Sequence, residues 1–189
     1  MSERERLIEL IKTRSYKYSE RPFRLSSGAY SNYYFNLKQT TYSPEGLYLV
    51  GKIIFQKIKE LGLRVDAIGG LTMGADPIAF AVARYSFDMN EPIEAFVIRK
   101  EPKGHGTMSQ IEGNVKEGDR VIIIDDVVTT GASTIKAINV ARNAGLIIIG
   151  VIALLDRCEQ NGRQNIEALG YPFWSIFTVE DFGIKLKKN

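Results

Sequence analysis

Cysteine, histidine and tryptophan each occur once in this chain. The single Cys158 excludes an internal disulfide and any multi-cysteine metal site. So few thiols fit a reducing, cytoplasmic setting. Proline numbers only 6, and no Pro/Ser-rich linker, low-complexity tract or internal repeat interrupts the chain. One domain over residues 1–189 is expected, with 1–42 as a helix and small appended hairpin and 43–189 as the core. The longest apolar run, residues 144–155, is too short to cross a bilayer. The opening MSERERLIEL is charged and lacks the apolar centre of a secretory signal. No membrane partner is expected. Neither sign of charge dominates: Lys plus Arg is 25 and Asp plus Glu is 22, a net of +3. That excess is too small to imply a nucleic-acid partner.

What is present reads as alternating helices and strands. Apolar residues make up 44% and charged residues 25%, ordinary globular proportions. Ser2 and Glu5 form a capping box for a helix over 2–14, with Leu7, Leu10 and Ile11 on one face. Aromatic-rich segments on either side of Ser27-Gly28 predict a β-hairpin. Ser43-Pro44 starts a helix that Gly62 ends. Strands are expected over 65–70, 93–99, 120–125, 146–155 and 172–177. Helices are expected from Asp76-Pro77 to Tyr85, over 133–143 and over 162–169, and a polar, glycine-containing loop over 100–114. VIIID and LIIIGVIALL are apolar throughout, so both faces of their strands must be covered. The fold class is α/β: a doubly wound, mainly parallel sheet flanked by helices, with a small N-terminal hairpin as a hood. Ligands in such sheets bind beyond the carboxyl ends of strands.

The strongest motif is VIIIDDVVTTGAST, residues 121–134. A buried strand ends in Asp125 and Asp126, runs through Val127 and Val128, and continues as Thr129, Thr130, Gly131, Ala132 and Ser133 into a helix. Unpaired N–H groups at a helix start favour an anion. Thr134 adds a further hydroxyl, and Gly131 lets the backbone approach closely. Neither a Walker loop nor GxGxxG is present. Two carboxylates beside an anion site make sense if they accept from sugar hydroxyls, so the pattern suits a sugar phosphate. A capped turn, its carboxylates holding local N–H groups, is the plainer alternative. The order strand, acid pair, loop and helix favours a ligand.

This segment resembles the phosphoribosyl-pyrophosphate (PRPP) motif of the type I phosphoribosyltransferases. Upstream, RKEPKGHGTMSQIEG gathers Arg99, Lys100, Lys103 and His105 on a loop with Gly104, Gly106 and Gly113. Four possible cations on such a loop suit a lid over a polyanionic leaving group. Its Arg-Lys-x-x-Lys-x-His-Gly pattern resembles the orotate phosphoribosyltransferases. LSSGAYSNYYFN resembles that family's hood. GGLTMGADP resembles its pyrophosphate loop, here Thr72, Met73 and Gly74. LLDRCEQNG resembles the strand end that sets an arginine, here Arg157, on orotate. The resemblance runs from about Phe23 to Gly162. Some branches carry lysines where this chain has Ser26 and Met73.

The resemblance implies transfer of a 5-phosphoribosyl group from PRPP to orotate, giving orotidine 5′-phosphate and pyrophosphate in pyrimidine (UMP) biosynthesis. It implies Lys103, His105 and Asp126 as catalytic residues. It implies PRPP contacts from Arg99, Lys100, Lys103, His105 and residues 125–133. Orotate contacts would come from Thr129, Arg157, Tyr34 and Phe35. Mg²⁺ would be held mainly through PRPP, with no dedicated protein metal site. The implied assembly is a homodimer whose lids cross between subunits. The plainer alternatives are Tyr34 and Phe35 as hairpin core and Arg157 as the partner of Asp156. Cys158 is expected to be buried or neutral, with nothing basic to activate it. Trp174 is expected in the core.

Overall fold

The computed structural model describes residues 1–24, 28, 30–101 and 110–186. The capping box at Ser2 and Glu5 is formed, and α1 spans Glu3–Arg14 with Leu7, Leu10 and Ile11 buried. The hairpin follows as β1, Tyr16–Arg24, and β2, Tyr30–Phe35, paired antiparallel. A short helix α2, Lys38–Thr41, comes next. Four residues carry too little periodicity to be read in sequence. Buried Leu37 and a 2.7 Å bond between the Ser15 and Thr40 hydroxyls hold it in place. Ser43 then caps α3, Pro44–Glu60, by accepting from the Gly46 N–H.

Strand and helix alternate from there: β3 Ala67–Leu71, α4 Ala75–Asp88, β4 Glu94–Ile98, β5 Ile111–Gly113, β6 Arg120–Val128, α5 Ala132–Asn143, β7 Ile147–Asp156, α6 Gly162–Glu167 and β8 Phe173–Thr178. A 3₁₀ turn, Val179–Phe182, follows. The sheet order is β5-β4-β3-β6-β7-β8. Every pairing is parallel except β4 with β5. The segment expected as loop over 100–114 therefore ends in a strand. Three residues are too few to show alternation, yet Ile111 lies opposite Ile98 and its strand covers the β4 edge.

The all-apolar strands divide their side chains by period two. On β6, Ile122 and Ile124 enter one core with α1, α3 and α4. Val121 and Ile123 enter a second core with α5 and Ile166 of α6. Both faces are thus covered, and the doubly wound reading holds. The first core also contains Phe35 and Leu37, so the N-terminal segment packs directly onto the sheet layer. Trp174 is half-buried, its ring seated where a Cβ on Gly150 would approach to 2.4 Å. No helix among the described residues is long and apolar enough to cross a membrane.

Candidate active site

The carboxyl ends of β6 and β7 lie side by side, with Val128 paired to Asp156. Beyond β6 the chain turns through Gly131 at φ 78° and enters α5, which has no side-chain cap. The Ala132 N–H bonds the Thr130 hydroxyl at 3.2 Å, and the next N–H groups of the helix start are available to a ligand. Gly131 is fixed from below as well. A Cβ there would lie 3.0 Å from the Gly162 carbonyl oxygen and 3.2 Å from Ile166. A Cβ on Gly162 would in turn meet the Thr129 carbonyl oxygen at 2.4 Å. Asn165 donates to the Thr130 carbonyl at 2.9 Å, so α6 serves as the floor of the loop. The resulting cleft, about 190 Å³, is lined by Asp125, Val127 and residues 129–133. Ala132 and Ser133 are exposed, while Thr129 and Thr130 are half-buried.

Asp125 is 8% exposed and accepts from the Thr134 hydroxyl at 2.6 Å. Thr134 was expected among the ligand donors; it is turned inward and buried, and its hydroxyl is occupied. Each carboxylate also holds a local N–H: Asp126 to Asp125, and Val127 to Asp126, both at 3.0 Å. Burial, then the neighbouring charge of Asp126, pushes the Asp125 carboxyl up to about 7. Burial raises Asp126 too, opposed by the Lys38 ammonium. Lys38, missed in sequence because α2 was, supplies the strongest favourable charge at this carboxylate. Val128 is buried in the second core, so its side chain faces no ligand.

Thr72, Met73 and Gly74 follow β3 on the other flank. The Thr72–Met73 peptide is cis, and the Thr72 hydroxyl donates to Asp76 at 2.6 Å. A Cβ on Gly74 would lie 2.4 Å from Asp126 Oδ1, so this turn abuts the acid pair. Met73 is exposed. Arg99 is exposed and lies 3.5 Å from Glu112. The Lys100 carbonyl accepts from Lys136 of α5 at 2.5 Å, which ties the segment after β4 to that helix. Lys103, His105 and Ser26 lie outside the described residues.

On the β7 side, Arg157 is 2% exposed, and its N–H bonds the Val128 carbonyl at 2.9 Å. Its partner is not Asp156, which lies 3.3 Å from Arg163. Arg157 bonds Glu159 through Nε at 3.1 Å and the Ser31 hydroxyl through Nη2 at 3.1 Å. The Tyr33 ring covers it, 4.7 Å from Cζ. The tyrosine on Arg157 is therefore Tyr33, not Tyr34. Along β2, Tyr33 and Phe35 share a face and Tyr34 takes the other. Tyr34 is exposed beside Phe23, with ring centroids 5.8 Å apart. Phe35 is a core residue at 6% exposure, packed on Tyr16 and Phe182, and offers no face to a ligand. Cys158 is exposed rather than buried. Partial desolvation and the Asp156 carboxylate push its thiol up to about 11, so it stays neutral. A larger cleft of about 750 Å³ runs between the hood and residues 158–164. It is lined by Asp156, Glu159 and the start of α6, whereas the smaller one joins Asp125 to the turn that enters α5.

An acid pair and an anion-binding turn beside a buried arginine are the parts needed to grip a sugar phosphate and an acidic acceptor together. The phosphoribosyl transferase domain family matches residues 37–184. A relative named orotate phosphoribosyltransferase from Aquifex aeolicus is 52% identical over 182 residues, 96% of this chain and 98% of that one. This chain belongs to the orotate phosphoribosyltransferase family. Among solved structures, orotate phosphoribosyltransferase of Mycobacterium tuberculosis H37Rv, in complex with Fe(III) dicitrate, matches with a TM-score of 0.84 at 32% identity, covering 97% of this chain and 100% of that one. The same enzyme in complex with PRPP matches with a TM-score of 0.77 at 28% identity, covering 96% and 92%.

Proposed function

We propose that this chain transfers the 5-phosphoribosyl group from PRPP to orotate, forming orotidine 5′-phosphate and pyrophosphate in pyrimidine (UMP) biosynthesis. The observation that carries this is the buried Arg157 set beside the acid pair and the phosphate turn, at paired ends of β6 and β7. A purine acceptor has no carboxylate for such an arginine to read. In the reaction the anomeric C–O bond to pyrophosphate breaks, and a C–N bond to the pyrimidine forms as its nitrogen gives up a proton. The protein orients the partners and neutralises charge; no covalent nucleophile is needed.

The roles rest on the family resemblance and, for the described residues, on where they stand at the site. Backbone donors of residues 129–133 hold the 5′-phosphate. Asp125 and Asp126 accept from the ribose hydroxyls. Thr72, Met73 and Gly74 border the pyrophosphate. Arg99, Lys100, Lys103 and His105 close over the leaving group. Two adjacent carboxylates raised by burial fit a nearby cation. Mg²⁺ would be held mainly through PRPP oxygens beside Asp126 and would offset pyrophosphate charge. The N-terminal helix and hood belong to the same domain as the core, and the enzyme works in the cytoplasm.

The assembly is a homodimer with lids exchanged between subunits. The exposed Tyr48 and Phe80 line an apolar cleft with Pro44 and Leu47 on α3 and α4, a face suited to a second copy. Mixing Lys103→Ala and Asp126→Asn chains tests it. If lids cross, half the sites of a mixed dimer carry neither defect, and activity returns. If each lid serves its own chain, none returns. The activity itself is tested by pyrophosphate release from PRPP and Mg²⁺ with orotate, adenine, hypoxanthine or xanthine. Release with orotate alone is expected; release with a purine alone overturns the reading.

A further inference from the structure

Arg157 is already answered by a carboxylate of its own chain. Its Nε and Nη2 lie 3.1 and 3.0 Å from the same oxygen of Glu159. The Tyr33 hydroxyl donates to the other Glu159 oxygen, so both oxygens of the carboxylate are engaged. Burial first, and this bond second, push the Tyr33 hydroxyl up to about 12, which keeps it a donor at neutral pH. The Arg157 side chain is 3% exposed, and Nη2 also reaches the Ser31 hydroxyl at 3.1 Å. The backbone is bent to make this arrangement. Cys158, Gln160 and Asn161 have φ of 53°, 52° and 57°, a region that non-glycine residues enter at an energetic cost. That turn folds Glu159 back over the residue two positions before it. Asp156 steadies its start by accepting from the Cys158 N–H at 2.8 Å.

We propose that Glu159 is a specificity-determining stand-in for the substrate carboxylate, holding Arg157 and the hood together until an acidic pyrimidine takes its place. The proposal rests on Arg157 being the reader of orotate. A ligand carboxylate can replace Glu159 because it returns the same charge-assisted bonds to the buried guanidinium. A neutral pyrimidine cannot, and it leaves the Tyr33–Glu159 tie between hood and strand end closed. Two carboxylates on one guanidinium repel each other, so Glu159 sets a threshold that an acidic substrate crosses at a cost in affinity.

Glu159→Gln keeps the size and removes the charge. The expected result is a KM for orotate lowered about fivefold, the scale of one partly screened charge contact, with the KM for PRPP unchanged. Tyr33→Phe removes the tie without altering charge, and should shift the orotate KM in the same direction by less. It carries the test if the Gln variant does not fold. A raised orotate KM would make Glu159 an orienting partner of Arg157 and overturn the proposal; an unchanged one would overturn it too. Arg157→Ala, assayed alongside, separates the two levels. If it leaves the orotate KM untouched, the reading of Arg157 fails. If it raises that KM while Glu159→Gln does not lower it, only the stand-in fails.

Discussion

The two ends of the site are built by opposite means. The end proposed to hold phosphate is local: Asp125 and Thr134, nine residues apart, are hydrogen-bonded to each other, and the turn between them is fixed by one left-handed glycine. The base end is assembled across the chain, with Ser31 on Arg157 and Tyr33 on Glu159, each pair 126 residues apart. The part of a substrate common to many reactions can be held by backbone, which needs only a glycine and a helix start. The part that distinguishes one acceptor from another is read by side chains, and these must be brought from separate elements.

The comparison breaks most sharply at Gly131. A Cβ there has to occupy φ 78° and lies 3.0 Å from the Gly162 carbonyl. Gly131→Val should abolish PRPP binding in calorimetry while circular dichroism stays unchanged. Retained PRPP binding would mean that the turn is not the phosphate cradle.

A second difference is electrostatic. Arg157 has Glu159 as a counter-charge, whereas Asp125 has a like charge beside it. Asp125 is raised from its ordinary 3.8 to about 7. Its protonated form therefore favours the folded state. That contribution is complete below about pH 4 and is lost as pH rises through about 7. Asp125→Asn does not titrate at this position and still accepts from Thr134. Its stability relative to the parent chain should rise between pH 4 and pH 7 and level off above. Urea unfolding at several pH values measures this, and parallel profiles would place Asp125 in a less costly setting. The smallest effect belongs to Asn165, whose bond to the Thr130 carbonyl at 2.9 Å supports the turn beside a longer one to the Gln160 carbonyl at 3.5 Å. Asn165→Ala should raise the KM for PRPP a few-fold, consistent with about 1 kcal/mol for one hydrogen bond, and leave the KM for orotate alone.

Locality also decides what the sequence disclosed. The capping box at Ser2, the Ser43-Pro44 helix start and the run from Asp125 to Ser133 depend on neighbours a few residues away, and each reads directly. The apolar strands declared a sheet covered on both faces because period two sends Ile122 and Ile123 into different cores. The hood was harder. Five tyrosines in residues 16–34 offer several faces, and only the strand pairing decides that Tyr33 meets Arg157 while Phe35 turns into the core. Glu159 was passed over because its partners are a buried arginine two residues away and a tyrosine in a distant hairpin. The place of Lys38 beside Asp126 was not legible because α2 is too short to announce itself.

Steady-state kinetics of Arg157→Ala with each substrate varied test the separation of the two ends most directly. Removing the guanidinium leaves a bound carboxylate without its charge-assisted partner, a loss of roughly 2–5 kcal/mol. The KM for orotate should rise at least about thirtyfold, as 2 kcal/mol implies, while the KM for PRPP stays near that of the parent enzyme. An unchanged orotate KM, or an equal loss for both substrates, would contradict the account.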